Sequence, residues 1–191
     1  RSDKVRREKW LGEWLLRRVL LQNYGLLPGD YSLEKAEGGK PFLTGWAKQV
    51  HFNLSHSGEY VVCAFSDSEI GVDIEKIGME RMRVARRFFH PEEIQALERA
   101  GEDERKELFF RYWSVKESFL KYIGTGLTRP LNSFVVRFAG ENISLYEGVN
   151  KLPLCVNACP IDSGYACYVC GEYNDLPHLR EITFEEIARM G

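Results

Sequence analysis

Ile70-Gly71-Val72-Asp73-Ile74-Glu75 is the stretch on which the reading of this chain turns. Apolar Ile70, Val72 and Ile74 alternate with Gly71, Asp73 and Glu75, the period of an extended strand. One face is therefore aliphatic, while the other sets two carboxylates side by side. Neighbouring acids repel and shift each other's pKa unless water or a cation lies between them. Taken alone, the pattern also fits a half-exposed strand whose polar face meets solvent.

Two strand-like runs, residues 50–54 and 59–66, precede this one. Asp67-Ser68 reads as a hairpin turn into it, so a three-stranded antiparallel sheet is expected. Further upstream, residues 3–23 carry Trp10, Leu11, Trp14, Leu15 and Leu21 at helical spacing, with Gly25 as the stop. The segment between holds Pro28-Gly29-Asp30 and Gly38-Gly39-Lys40-Pro41 and reads as loop. Downstream, residues 79–89 look helical, and His90-Pro91-Glu92-Glu93 opens a second helix, with proline at its first position and acids at its positive end. A long helix over 104–123 ends at Gly124-Thr125-Gly126. Strands follow near 133–138, 143–147, 152–158 and 165–171, and Thr183-Phe184-Glu185-Glu186 is a capping box for a terminal helix. This order predicts an α+β protein of two similar halves, 1–72 and 73–191, in one compact unit with its site at the junction.

Composition narrows the function classes. The chain has 191 residues, 44% of them apolar, enough to bury a core. Charged residues make up 28% but sum to −2, which favours neither nucleic acid nor an anionic membrane as partner. No apolar run approaches the roughly 20 residues needed to span a bilayer, and residues 1–10 lack the apolar segment of a signal peptide. A soluble, cytoplasmic protein is expected. Five cysteines, at 63, 155, 159, 167 and 170, include a spacing that could be read as a zinc cluster. Cys167 and Cys170 fall three apart in one strand, however, and would point to opposite faces. Reduced, mostly buried thiols are the better reading.

The long helix contains Trp113-Ser114-Val115-Lys116-Glu117-Ser118-Phe119-Leu120-Lys121. Glu117 and Lys121 are four apart and share a face. Lys116 falls in the middle of an apolar arc that includes Phe109, Tyr112, Trp113, Phe119, Leu120 and Ile123, whereas Glu117 and Lys121 lie at its margin. A lysine among aromatics must snorkel, find a carboxylate or lower its pKa. Phe52-Asn53-Leu54-Ser55-His56-Ser57 has no nucleophile elbow, and His56 beside two hydroxyls suits an anion or an ordinary turn.

Together, Gly39-Lys40-Pro41, Asn53-Leu54-Ser55-His56-Ser57, Gly71-Val72-Asp73-Ile74-Glu75 and Trp113 to Lys121 resemble, in order and spacing, the 4'-phosphopantetheinyl transferases of the larger, surfactin-synthetase-activating type. The resemblance runs through Leu131-Asn132-Ser133-Phe134 and implies a monomer of two pseudo-symmetric halves, each a small antiparallel sheet with helices. It implies that coenzyme A lies in the cleft between them and that its 4'-phosphopantetheine group passes to a serine of an acyl or peptidyl carrier protein, releasing 3',5'-ADP. Asp73, Glu75 and Glu117 would hold Mg²⁺, or Mn²⁺ in its place, an assignment that suits the hard oxygen ligands Mg²⁺ prefers. Lys121 would meet the pyrophosphate. Lys40, Pro41, Ser55, His56 and Lys116 would serve the coenzyme A site, with Lys40 and His56 at its nucleotide end. Glu117 would act as base directly or through a water on the ion, with Lys121 in neutral form as the other choice. The family's upstream strand and the basic residues that grip the 3'-phosphate would lie before Arg1, leaving Arg6, Arg7, Lys9, Arg17 and Arg18 as partial substitutes. Segment 79–89, which opens on Met79 and closes on Phe89, is expected to dock the carrier through Arg83, Arg86 and Arg87. Rival readings are a Mg²⁺-dependent nucleotide pyrophosphatase and a non-catalytic module that binds coenzyme A or a carrier. The chain lacks a P-loop and a Gly-rich dinucleotide fingerprint.

Overall fold

The computed structural model describes residues 2–79, 81–173 and 177–190. Helix α1 (Ser2–Tyr24) leads into strands β1 (Tyr31–Lys35), β2 (Pro41–Gly45), β3 (His51–Ser57), β4 (Tyr60–Ser66) and β5 (Ile70–Lys76). Helices α2 (Met82–Phe88), α3 (Pro91–Arg99) and α4 (Glu102–Ile123) follow. Strands β6 (Val135–Ala139), β7 (Asn142–Glu147), β8 (Asn150–Lys151), β9 (Cys155–Ala158) and β10 (Tyr165–Gly171) precede a last helix, α5 (Phe184–Met190). Pairings are antiparallel throughout the sheets β1-β2, β3-β4, β5-β10-β9 and β6-β7-β8, as expected of an α+β protein built on small antiparallel sheets.

Local chemistry explains the element ends. His90 caps α3 reciprocally: its ring Nδ1 accepts from the Glu92 amide, and its own amide donates to Glu93 Oε2. The Thr183–Glu186 box at α5 is made in the same way. Helix α4 starts earlier than its apolar pattern suggests, because Glu102, Asp103 and Glu104 suit its positive end, and it stops at Gly124 with φ 73°.

In three places the structure departs from the sequence reading. The segment taken as loop contains the β1-β2 hairpin, whose first strand is mostly exposed and so shows no apolar alternation. On α1 the buried line is Gly12, Leu16 and Leu20, spaced by four, while Trp10 and Leu21 lie outside it and face solvent. The expected sheet of β3, β4 and β5 does not form. Strand β5 leaves its neighbour across Asp67-Ser68 and pairs along its whole length with β10, near the other end of the chain. Because β5 begins at Ile70, a division at 72/73 would cut through a single strand.

The β3-β4 sheet is covered on both faces. Phe52 and Leu54 on one face pack with Leu16 and Leu20 of α1. Tyr60, Val62 and Ala64 on the other meet Val72 and Ile74 of β5. The largest core gathers α4, the end of α2, α3 and the β6-β7 and β9-β10 strands around Phe89, Phe109, Val115, Phe119 and Phe134. Among the described residues no helix is long and apolar enough to cross a membrane.

Inside that core is a buried ion pair. Lys116 and Glu93 are both 0% exposed and stand 2.8 Å apart. The ammonium also donates to the carbonyls of Leu131 and Phe134, at 2.8 and 3.0 Å, and it lies over the Phe134 ring. Glu93 accepts in addition from the Val136 and His90 amides. Burial pushes the Glu93 carboxyl up and the Lys116 amine down, and each partner opposes the other's shift. Lys116, expected among the coenzyme A ligands, is therefore enclosed in the core with all its protons committed. Glu93→Ala should cost about 3–5 kcal/mol in urea unfolding, because it strands a buried charge. Replacing both partners by apolar residues, Glu93→Leu with Lys116→Met, should cost clearly less than the single change.

Candidate functional site

The site forms where the face of one sheet meets the edge of another strand. In β3, Asn53, Ser55 and Ser57 point the same way, two residues apart. Asn53 Oδ1 accepts from the Val72 amide at 3.0 Å, Ser55 Oγ from the Ile74 amide at 3.3 Å, and Ser57 Oγ from the Lys76 amide at 3.0 Å. These three side chains do for one edge of β5 what β10 does for the other. Without them the buried amides of Val72 and Ile74 would be orphaned.

The same hydroxyls hold the acids. Ser55 donates to Asp73 Oδ1 at 3.0 Å, and Ser57 donates to Glu75 Oε2 at 3.1 Å. Helix α4 crosses the other side of the strand very closely: a Cβ on Gly71 would stand 2.0 Å from the Ser118 carbonyl oxygen. Glycine is thus required at the start of the alternating run, and the two acids that follow on its face are aimed at α4. From α4, Ser114 Oγ donates to Asp73 Oδ2 at 2.9 Å, and Lys121 Nζ reaches Asp73 Oδ1 at 2.7 Å and Ser55 Oγ at 2.8 Å. The Trp113 indole also supports Glu75.

Glu117 completes the cluster. Its carboxyl is pushed up from 4.5 to about 7 by burial and by the neighbouring charges of Asp73 and Glu75, which outweigh the opposing effect of Lys121. Burial and Asp73 also raise the Glu75 carboxyl. The cluster therefore holds three carboxylates and one ammonium, and its acids resist full ionisation. That is the electrostatic condition a divalent cation relieves, and the oxygen-only donors suit a hard ion. Asp73, Glu75 and Glu117 are the residues that could hold it. As the side chains stand, no three His, Cys, Asp or Glu groups among the described residues close on a single point. Ser55 and Lys121 share Asp73 Oδ1, while Oδ2 accepts from Ser114 alone.

The remaining expected site residues are spread more widely. Ser55 has its proton on Asp73 and its acceptor positions on Lys121 and the Ile74 amide, so its hydroxyl is fully used inside the junction rather than offered to a nucleotide. Lys40 donates to Glu69 and to the carbonyls of Ile70 and Tyr122, tying the loop before β2 to the start of β5 and the end of α4. It reaches a ligand only by releasing one of these. Pro41 opens β2 opposite Lys35. His56 is on the other face of β3 from Ser55, exposed, with Nδ1 3.5 Å from Glu8 of α1. Lys40 and His51 both contact Glu69, and His56 lies five residues further along the strand, roughly 17 Å away. Lys40 and His56 are therefore not neighbours. Asn53, Ser57 and Ser114 are not among the site residues expected from sequence; the polar alternation through 53–57 signals the first two, and Ser114 has only its place beside Trp113 in the α4 run.

Two family models cover the chain. One, the 4'-phosphopantetheinyl transferase superfamily, matches residues 69–170. The other, the N-terminal part of 4'-phosphopantetheinyl transferase, matches residues 3–68. The two meet in the loop between β4 and β5. The chain is 36% identical over 179 residues to 4'-phosphopantetheinyl transferase Sfp of Bacillus subtilis, spanning 93% of this chain and 80% of that protein. It is 34% identical over 169 residues to 4'-phosphopantetheinyl transferase gsp of Aneurinibacillus migulanus, spanning 88% and 70%. It is also 36% identical over 129 residues to L-aminoadipate-semialdehyde dehydrogenase-phosphopantetheinyl transferase of Xenopus laevis, spanning 61% and 43%.

The cluster makes stability depend on pH and metal together. Because the folded pKa of Glu117 is raised, its contribution to the stability of the metal-free protein is full below about 4.5 and is lost as pH climbs to about 7. A divalent cation competes with that proton. Added Mg²⁺ should therefore raise Tm more at pH 8 than at pH 6, with chelation reversing the gain; equal shifts at both pH values would contradict this. A junction of this composition, with both halves matched in sequence, places the chain in a defined group: it belongs to the 4'-phosphopantetheinyl transferase superfamily.

Proposed function

We propose that this chain takes the 4'-phosphopantetheine group from coenzyme A and attaches it to a serine of an acyl or peptidyl carrier protein, releasing 3',5'-ADP, at the junction of β3, β5 and α4. The observation that carries this reading is the grouping of Asp73, Glu75, Glu117 and Lys121, in which burial, with the charges of Asp73 and Glu75, brings the Glu117 carboxyl to a pKa of about 7. Asp73, Glu75 and Glu117 would hold Mg²⁺, which, when bound, would supply positive charge to offset the leaving pyrophosphate linkage.

Each protein group then has a stated task. Ser55, Ser57 and Ser114 fix the two strand carboxylates, so the site is formed before substrate arrives. Lys121 lies on Asp73 without ligand, and its short reach to the same oxygen lets it exchange a carboxylate for a substrate phosphate oxygen. Glu117 takes the proton of the carrier serine as its oxygen attacks the phosphorus nearest pantetheine and the bond to 3',5'-ADP breaks. A carboxylate that also holds the cation is a weaker base, so Lys121 in neutral form is the other candidate for that proton. Met79 and the half-exposed Phe88, with Arg83 and Arg87 exposed beside them, form the proposed carrier-docking surface; Arg86 is already paired with Glu98, and residue 80 lies outside the described residues. A monomer in the cytoplasm goes with this reading.

Incubating a carrier protein with coenzyme A and Mg²⁺ should add one phosphopantetheine to its mass, with no consumption of coenzyme A when the carrier is left out. Glu117→Gln should lower the transfer rate by about 10²–10⁴ while leaving Tm unchanged or higher, since it removes a repelling charge. Near-normal turnover in that variant would remove Glu117 from the mechanism, and breakdown of coenzyme A without carrier would favour a pyrophosphatase.

A further inference from the structure

The pairing of β9 with β10 continues one residue past β9. Cys159 donates its amide to the Cys167 carbonyl at 2.9 Å, one step beyond the Ala158–Tyr168 pair. Residues opposed in an antiparallel pair point to the same face, with Cα atoms about 4.5–5.5 Å apart, within the range a disulfide spans. The two thiols are neighbours: both belong to the apolar cluster around Val72 and Ile74, and each shifts the other's ionisation. Other cysteines lack such a partner. Cys155 lies opposite Gly171, Cys170 lies opposite Val156 in a different cluster, and Cys63 is in the N-terminal core.

Access comes from an open groove of about 270 Å³ between the end of β5, the first half of α4 and the β9-β10 hairpin. Ile77, Arg111, Cys159, Tyr165 and Cys167 are among the residues that line it. Cys159 is partly exposed there, and Cys167 lies behind it, 4% exposed. The neighbouring Cys167 pulls the Cys159 thiol below its usual range, which marks Cys159 as the thiol that ionises first. None of the transfer chemistry uses either residue.

We propose that Cys159 and Cys167 are a dithiol modification site, converted to an intramolecular disulfide by a low-molecular-weight disulfide that enters this groove. The Cys159 thiolate attacks one sulfur of the small disulfide, breaking its S–S bond and expelling the first small thiolate. Cys167 then gives up its proton and attacks the Cys159 sulfur, expelling the second. The protein loses two hydrogens, the small disulfide becomes two thiols, and an excess of dithiol reductant reverses the exchange. Because Cys167 stands opposite Ile74, between the two acids of β5, the link would brace the strand that supports the site.

The test is to incubate the whole protein with glutathione disulfide, alkylate the remaining thiols, and digest with trypsin and a protease that cuts before aspartate. Cleavage before Asp162 separates the peptide with Cys155 and Cys159 from the one with Cys167 and Cys170. The expected result is a fall from five alkylatable thiols to three and a disulfide joining the two peptides. The link should persist in the Cys155→Ser/Cys170→Ala variant, vanish in Cys159→Ser, and disappear after reduction. The proposal is overturned by separate, fully alkylated peptides in the wild type, by a stable glutathione adduct on Cys159, or by a link that requires Cys155 or Cys170.

Discussion

Strand β5 has hydrogen-bond partners on both edges, and only one of those edges is another strand. Along the second, the amides of Val72, Ile74 and Lys76 end on side chains of Asn53, Ser55 and Ser57. A face of β3 thus substitutes for the backbone of a missing neighbour, and the two halves of the chain are joined through buried polar bonds as well as apolar contact. Leaving one such donor unsatisfied costs about 1–3 kcal/mol, a large share of the stability of a domain this size. Two of these side chains, Ser55 and Ser57, also hold Asp73 and Glu75, so folding and site assembly are one event.

The acids in turn create strain that the fold tolerates locally. Asp73, Glu75 and Glu117 lie close enough to repel, with Lys121 among them, and burial together with that repulsion gives the high pKa of Glu117. One residue earlier on the same helix, Lys116 pairs with Glu93 in full burial with every polar atom satisfied. Helix α4 therefore carries a closed ion pair on its core side and an acid-rich cluster on the side that meets β5. The closed pair stabilises the helix position; the acid-rich cluster is where, in the proposed function, a cation would be held.

Much of this was legible in the sequence. Alternation through 70–75 placed both acids on one face, and helical spacing brought Glu117 and Lys121 to the margin of α4, because these are local consequences of backbone period. Strand 165–171 was equally plain from its apolar, β-branched and aromatic run. What stayed hidden is non-local. The hydrogen-bond partner of β5 lies about ninety residues downstream, and a turn at Asp67-Ser68 suggested a nearer one. Nor does spacing reveal that a buried lysine at 116 has found Glu93, since its place among aromatics left it to snorkel, find a carboxylate or lower its pKa. Ser55 looked like a ligand because a hydroxyl beside a histidine suits an anion; burial assigned its whole bonding capacity to Asp73, Lys121 and Ile74 instead. The β1-β2 hairpin escaped notice because exposed strands have no apolar period to read.

The junction itself is tested most directly by residue-resolved amide hydrogen exchange on the wild type and on Asn53→Ala, a change that removes one acceptor of β5 without touching the acids. Exchange at Val72 should accelerate by roughly tenfold or more, as expected for a buried donor that has lost its partner. Amides of β10 on the opposite edge should keep their protection. If Val72 remains as protected as before, β5 does not depend on the side chains of β3, and the account of how the two halves are joined is contradicted.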